Sequence, residues 1–476
     1  MKSKKILSLL LVLCMAIFVI PFSAGASEAK DVADTLTEEM GVPAAAAEAV
    51  AEGQQVPENF AASVAYVSDY AGLKAAVEDP VVTIVVVLNN ITLEDTLTMD
   101  GNNLDLALIA LNNVTIYSAN ERRHFFLADD PAIATERESK LIFSNVTLDG
   151  NGTGGGIVSN RGADSQTTLL LDGLEMTNCG LYDLDFNAAL KGFRVTLVDS
   201  KIYSNPVSGV DASNLTVENS EIKNNGGSGI ESFGYDLQVI NSEISGNVQR
   251  GIHVMGYDSA VYIDGCTVKD NGSNGIYINV NSLGRSGETE GIYNTTVSGN
   301  GTAGNVEQGG GVYIATVYGS VYGMENCMID GNTAFDGGGI YARFMQLGIV
   351  DCEVKNNIAE RGAGVFHDEF IEGNYAGTKI YDNTAFEGAG VYFYNPSGYE
   401  RHAWIEAEVY NNEASYNGGG IYVDADLVVH ITGDVHGNTA RTRGGGVYVT
   451  NSSSIEVTGS IYDNSARQGA DIWPIQ

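Results

Sequence analysis

Proline is scarce in this sequence, with 8 residues in 476, and positive charge is thin: 25 Lys and Arg stand against 60 Asp and Glu. The formal net charge of −35 argues against nucleic acid or an anionic membrane surface as the main partner, since both are held by clustered cations. Few prolines beside 58 glycines, with no Gly-X-Y period, exclude a collagen-type helix. There is no Gly-x-Ser-x-Gly, no Gly-Lys of a phosphate-binding loop and no His-Glu-x-x-His. Calcium-binding glycine nonapeptides are missing as well, because Ile or Val and then Tyr follow each glycine triplet. After Ile20 no hydrophobic stretch approaches the length of a membrane span, so none is expected in the exported chain. What remains is 44% hydrophobic residues, enough to bury a core.

Lys2, Lys4 and Lys5 precede an apolar run from Ile6 to Ile20, which Pro21 ends and Ala24-Gly25-Ala26 follows. These are the three parts of a secretory signal peptide, so 1–26 is expected to be removed and the protein to be secreted or extracellular, at most associated with a cell surface. The run is shorter than a membrane anchor needs. Residues 27–62, rich in Ala and Glu, read as an acidic, partly helical linker. Residues 63–145 read as an N-terminal cap and irregular first coils. There Ser68-Asp69 cap a helix through Leu73, Ala76 and Val77, which Asp79-Pro80 stops and the β-branched run Val81–Leu88 follows. Such a helix and strand would plug the open end of a solenoid.

From 146 to 476 one pattern recurs: a small residue, any residue, an aliphatic residue, two more, then Asn. The Asn positions are 151, 178, 205, 225, 247, 271, 300, 332, 357, 383, 412, 438 and 464. In the second copy Glu175 holds the aliphatic slot and Met176 lies beside it, a slip of one residue. The other half of each unit is glycine before an aliphatic residue, strengthening to Gly-Gly-Gly-Val-Tyr at 309–313 and 444–448 and Gly-Gly-Gly-Ile-Tyr at 337–341 and 418–422. Two short β-type runs per unit cannot bury their apolar sides alone; stacked as coils, they form parallel sheets about 4.8 Å apart. Asn at a coil corner suits a left-handed conformation and a bond to the Asn of the next coil. A propeller needs four strands in about 40 residues, and a leucine-rich solenoid needs a Leu/Asn consensus that is absent. The expectation is an all-β, right-handed parallel β-helix with a short N-terminal capping helix.

These repeats resemble the pectin-lyase-like β-helix superfamily. The later coils, with Asn332-Thr333-Ala334 and Asn383-Thr384-Ala385 leading into glycine triplets or Gly-Ala-Gly, resemble the repeats of chlamydial polymorphic outer-membrane proteins. Gly338-Gly339-Ile340 and Ile329-x-x-Asn332 stand where that family has Gly-Gly-Ala-Ile and Phe-x-x-Asn, and no autotransporter barrel follows. The resemblance covers about 140–476 and implies the fold far more than an activity.

Polysaccharide-cleaving β-helices need paired carboxylates, or an Arg or Lys base beside carboxylate-bound calcium. Arg361, His367, Asp368 and Glu369 form the densest polar group on one coil, and Asp424 and Asp426 the closest acidic pair. Among 60 acids such proximity arises without function, and no catalytic residue is assigned. His253 and His367 read as packed or solvated rather than as ligands. Cys327 and Cys352 hold the same small-residue slot 25 apart, so they stack either as a disulfide or as two buried substitutes for Ser or Thr. Two function classes follow. One is a non-catalytic, adhesin-like protein, binding a glycan or surface protein through its solenoid face without a cofactor. The other is a secreted polysaccharide lyase or glycoside hydrolase, with calcium as the ion a lyase would use. Regular late coils favour binding, since active sites interrupt a repeat and the largest interruption, 281–291, is short.

The candidate ligand-binding residues are aromatic. Tyr277, Tyr313, Tyr392, Tyr422 and Tyr448 sit between apolar neighbours on late strands, and Tyr341, Phe366 and Trp473 hold the same slot. Alternation with the inward Ile or Val turns these rings outward. The column serves either as stacked rings that stabilise the sheet or as an exposed platform for sugar rings or a partner protein.

Overall fold

The computed structural model describes residues 30, 33–34, 36–38, 42, 44–52 and 63–474, apart from 100–104, 129–138, 160–166, 181–187, 284–289, 303, 305, 370–371, 396–400, 426 and 451–452. The expected signal peptide, much of 27–62 and Asp426 lie outside the described residues.

The chain winds into about 13 turns of parallel strands. In one coil Ile340–Arg343, Gln346–Val350 and Glu353–Lys355 lie on three faces, and each pairs in parallel with its counterpart in the next coil. We call these the first, second and third faces. From Ile358–Arg361 onward a separate five-stranded strip runs between the third face and the first. Strand alternation fills the lumen with single-file aliphatic columns, such as Ile276, Val312, Ile340, Val365, Val391 and Ile421, all fully buried. Glycine triplets mark the corner before the first face for two reasons. Gly337 has φ 63°, which favours a residue without Cβ, and a Cβ on Gly339 would lie 2.6 Å from the Gly364 carbonyl oxygen.

The Asn residues form a continuous buried column from Asn205 to Asn464. Asn332 is representative: its backbone N–H and one Nδ2 hydrogen donate to Asn357 Oδ1 at 2.9 and 3.1 Å. Its other Nδ2 hydrogen reaches the Val297 carbonyl at 2.9 Å, and its Oδ1 accepts both donors of Asn300. Every polar atom of the side chain is thereby used without water. The left-handed residue, however, is the one before each column Asn, as at Ser204, Asn224, Asp270, Asn356 and Asp382. Asn178 does adopt positive φ, at 52°, because it occupies that preceding slot; Asn151, at 53°, lies three residues after Leu148, the partner of Met176. The slip in the second copy has the same origin: Met176 pairs with Ile202, and Cys179 takes the column position, donating its N–H to Asn205 Oδ1 at 2.7 Å.

A second column runs through the small-residue slot. Ser200 N–H donates to Ser220 Oγ, Cys266 N–H to Thr295 Oγ1 and Cys327 N–H to Cys352 Sγ at 3.3 Å. Cys327 and Cys352 are free thiols, so of the two sequence expectations the disulfide is not formed and the sulfur replaces a hydroxyl oxygen.

Helix Tyr70–Glu78 opens on Asp69, whose Oδ1 accepts the Gly72 N–H at 2.8 Å, and buries Leu73, Ala76 and Val77. These residues join the lumen core beside Val85, Val87 and Leu97, so the helix plugs the solenoid as its position implies. Parallel pairing already begins at Val64–Val67 with Ile84–Val87. The expected linker behaves differently: helix Ala44–Ala51 packs its alanines on the outward side chains of Ile84, Val86, Ala107 and Ile109. A β-branched strand buried on both sides needs an apolar cover, and small alanines let a helix approach it.

Candidate functional site

The aromatic column is present and points away from the lumen. Tyr277, Tyr313, Tyr341, Phe366, Tyr392 and Tyr422 stack with centroids 4.4, 5.2, 5.4, 4.9 and 4.5 Å apart and planes within 11°. Tyr448 follows at 4.7 Å, tilted by 36°, and Trp473 pairs in register with Tyr448 beneath Arg443. Earlier coils place Asp211, Glu231 and His253 in the same row.

The expected exposure is not found. Tyr313, Tyr341, Phe366, Tyr392 and Tyr422 are buried, Tyr341 to 1% of its surface, and only Tyr277, Tyr448 and Trp473 are half-exposed. The glycine corner folds the strip back over the rings: Arg361 lies 5.1 Å above Phe366, and Gln308 Nε2 donates to the Tyr341 hydroxyl at 2.9 Å. On the opposite side Tyr341 donates to Asp368 Oδ2 at 2.5 Å and Tyr392 to Asp424 Oδ2 at 3.2 Å. Burial pushes the Tyr313 phenol up to about 12. A sugar ring needs an open aromatic face, and each inner ring of this column already has a neighbour on both faces.

The polar group flagged on one coil separates. His367 points into the lumen, where its Nδ1 lies 3.3 Å from the Tyr375 hydroxyl and burial lowers its pKa to about 3. Asp368 and Arg361 point outward on opposite sides of the rings. Arg361 makes a bidentate pair with Asp336 at 2.7 Å for both contacts, while Arg343 meets Glu369 at 2.9 Å. Burial raises the pKa of Asp368, and Glu387 is raised by burial, against the Asn417 hydrogen bond, with nearby Asp424 adding to the rise. A carboxyl raised on folding destabilises once ionised, so its contribution to stability is present at low pH and lost as pH rises through the folded pKa. Glu387→Gln is therefore expected to melt higher than the parent at neutral pH, with the difference shrinking towards the ordinary carboxylate range. A series of thermal melts against pH checks this.

The open aromatic surface lies at the corner between the first and second faces, where the repeat gave no signal. Tyr257 and Tyr318 are 77% and 72% exposed, and Val317, Val321, Phe233, Tyr235 and Met255 are exposed around them. Backbone contacts place these turns one above another: Gly234 N–H reaches the Met255 carbonyl, Asp258 pairs with Ser282, and Val317 and Tyr318 N–H both reach the Asn281 carbonyl. Asn281 opens the 281–291 interruption, whose residues 284–289 lie outside the described set. Seven large apolar side chains on one corner exceed the scattered exposure normal for a surface. Sequence reading flagged the interruption but not the tyrosines beside it.

Among the described residues no group of three or more His, Cys, Asp or Glu is placed to hold a metal ion, and no helix is long and apolar enough to cross a membrane.

The family model described as a right handed beta helix region matches residues 131–284 and 187–343. No curated protein matches the sequence. Among solved structures, the Agl-KA catalytic domain is 13% identical with a TM-score of 0.38, over 82% of this chain and 66% of that one. The mannuronan C-5 epimerase AlgE4 A-module of Azotobacter vinelandii is 13% identical with a TM-score of 0.32, over 87% and 96%. The periplasmic alginate epimerase AlgG is 12% identical with a TM-score of 0.35, over 87% and 81%. Parallel pairing from coil to coil and the match to that family model together make this chain a right-handed parallel β-helix.

Proposed function

We propose that this protein is a non-catalytic, adhesin-like binding protein of the cell exterior, and that it holds a glycan or protein ligand at the corner around Tyr257 and Tyr318. The carrying observation is the exposure of those two rings beside the short interruption of the repeat at 281–291. Their faces are open to a sugar ring or an apolar side chain, unlike those of the stacked column. Tyr277, Tyr448 and Trp473, the half-exposed members of the column, are secondary candidates at its ends. The signal-peptide pattern at 1–26 supports export, and the excess of acids directs the search away from nucleic acid.

An array of neutral and acidic polysaccharides, probed with labelled full-length chain, tests the glycan arm; immobilised surface-protein extracts of known composition test the other. Tyr257→Ser with Tyr318→Ser is expected to reduce binding at least about tenfold, the size of one lost hot spot, with an unchanged melting temperature. Undiminished binding by that variant would remove the corner from the proposal.

A second reading rests on Glu387. A half-buried carboxyl with a raised pKa, near Tyr392, Tyr422 and Asp424, is suited to general acid–base work on a polysaccharide. Turnover in reducing-sugar and unsaturated-uronate assays, with and without calcium, that Glu387→Gln abolishes would favour this enzyme over the binding protein.

A further inference from the structure

The second face carries a cluster that the binding reading does not use. Strand Arg401–Ile405 presents His402 and Trp404, the next strand, Leu427–Ile431, presents His430, and Ser454–Val457 presents Glu456. Parallel register stacks Trp404 directly on His430, with centroids 5.2 Å apart and planes 9° apart, and sets Glu456 beside His430 in the following coil. Nδ1 of His402 and Nε2 of His430 face each other at 3.0 Å. Glu456 Oε2 lies 2.9 Å from His430 Nδ1.

Between two neutral rings one arrangement of protons satisfies these contacts. The carboxylate accepts the hydrogen on His430 Nδ1, so Nε2 of that neutral ring presents its lone pair, and His402 Nδ1 supplies the one proton between the rings. Two imidazole nitrogens converge, one of them held in orientation by a carboxylate on its far nitrogen, which is how metal-binding histidines are positioned. Two nitrogens bound at right angles to one ion, each about 2.1 Å away, lie roughly 3.0 Å apart, so the observed spacing suits adjacent positions of a tetragonal ion. A tetrahedral cage would need further protein ligands, and none is grouped here among the described residues.

We propose that His402 and His430 form a surface site for a tetragonal divalent transition-metal ion, Cu²⁺ or Ni²⁺, with Glu456 as the positioning residue and water in the remaining positions. Binding moves the His402 proton from Nδ1 to Nε2, so that both rings coordinate as neutral imidazoles with no net proton released, and it leaves the coil intact, because both histidines lie on the outer side of the face. The imidazole and water ligand set selects these ions over calcium or magnesium.

Trp404 supplies the readout. It is one of only 2 tryptophans in the chain, and its ring stacks on the proposed ligand. In tag-free full-length chain carrying Trp473→Phe, Cu²⁺ is expected to quench Trp404 fluorescence saturably at one ion per chain, and Ni²⁺ to compete. His430→Gln and His402→Asn are each expected to abolish saturable quenching with the circular-dichroism spectrum unchanged. Glu456→Gln should weaken it about tenfold or more, the usual cost of losing such a partner. Absence of saturable quenching in the parent chain, or quenching that persists in the folded double variant His402→Asn with His430→Gln, would overturn the site. Either result leaves the Tyr257 and Tyr318 corner untouched, since that corner is read by ligand binding alone.

Discussion

Asn332→Ala is expected to destabilise the solenoid by about 3–5 kcal/mol, because it leaves several buried polar groups without partners at once. Asn300 loses the acceptor of both its backbone N–H and its Nδ2, the Val297 carbonyl loses a donor, and Asn357 Oδ1 loses one of two donors. No water reaches the position, which is fully buried. Asn332→Asp keeps the shape but removes both Nδ2 hydrogens and buries a charge, so it should cost at least as much at neutral pH. Asn464→Ala is the control. That residue ends the column on Asp471 rather than on another Asn and is slightly exposed, so its loss should cost about 1–2 kcal/mol. Equilibrium urea unfolding separates these outcomes. Because coils interact only with their neighbours, a mid-column break is also expected to split the transition into two steps. A loss below about 1 kcal/mol for Asn332→Ala would mean that the column is not a cooperative support.

The Asn column was legible from Asn205 onward because its three-residue offset from the inward aliphatic residue survives every change of loop length. The left-handed residue was legible too, one place earlier, in Asn224, Gly246, Asp270 and Gly299. Attention to the invariant Asn hid that simpler signal, which is a preference of Asn, Asp and Gly for positive φ. Ring direction followed from strand alternation, whereas ring burial did not. Exposure of Tyr341 depends on where the strip around Gln308 and Asp336 folds, a contact set by the glycine corner and the next coil rather than by the ring's own strand. Tyr257 and Tyr318 fall where the repeat fails, so no period marks them. His402, Trp404 and His430 sit on the second face, which has no recurring consensus, and only the register between coils brings them together.

Tyr341→Ala is expected to cost about 3–5 kcal/mol, the usual range for deleting a buried aromatic side chain. The ring stacks on Tyr313 and on Phe366, and each lost pair adds about 0.5–1.5 kcal/mol to what burial alone supplies. Tyr341→Phe isolates the hydroxyl. Asp368 then loses a donor but keeps Arg343 at 3.6 Å, which places the expected cost near 1 kcal/mol, the low end for an unpaired polar group. Tyr277→Ala, at the half-exposed head of the column, should cost less than Tyr341→Ala, because it lacks a stacked tyrosine on one side and meets His253 edge-on instead. Thermal and urea unfolding rank the three. The same variants discriminate support from recognition. If the column serves only stability, Tyr341→Phe binds ligand as the parent does while melting lower. A binding loss in Tyr341→Phe larger than its loss of stability would restore the column as a recognition surface. Single substitutions are required, because replacing Tyr341, Tyr392 and Tyr422 together by serine removes three buried rings. Their summed cost of roughly 9–15 kcal/mol reaches the whole stability of a typical domain, so lost binding in the triple variant would report unfolding rather than recognition.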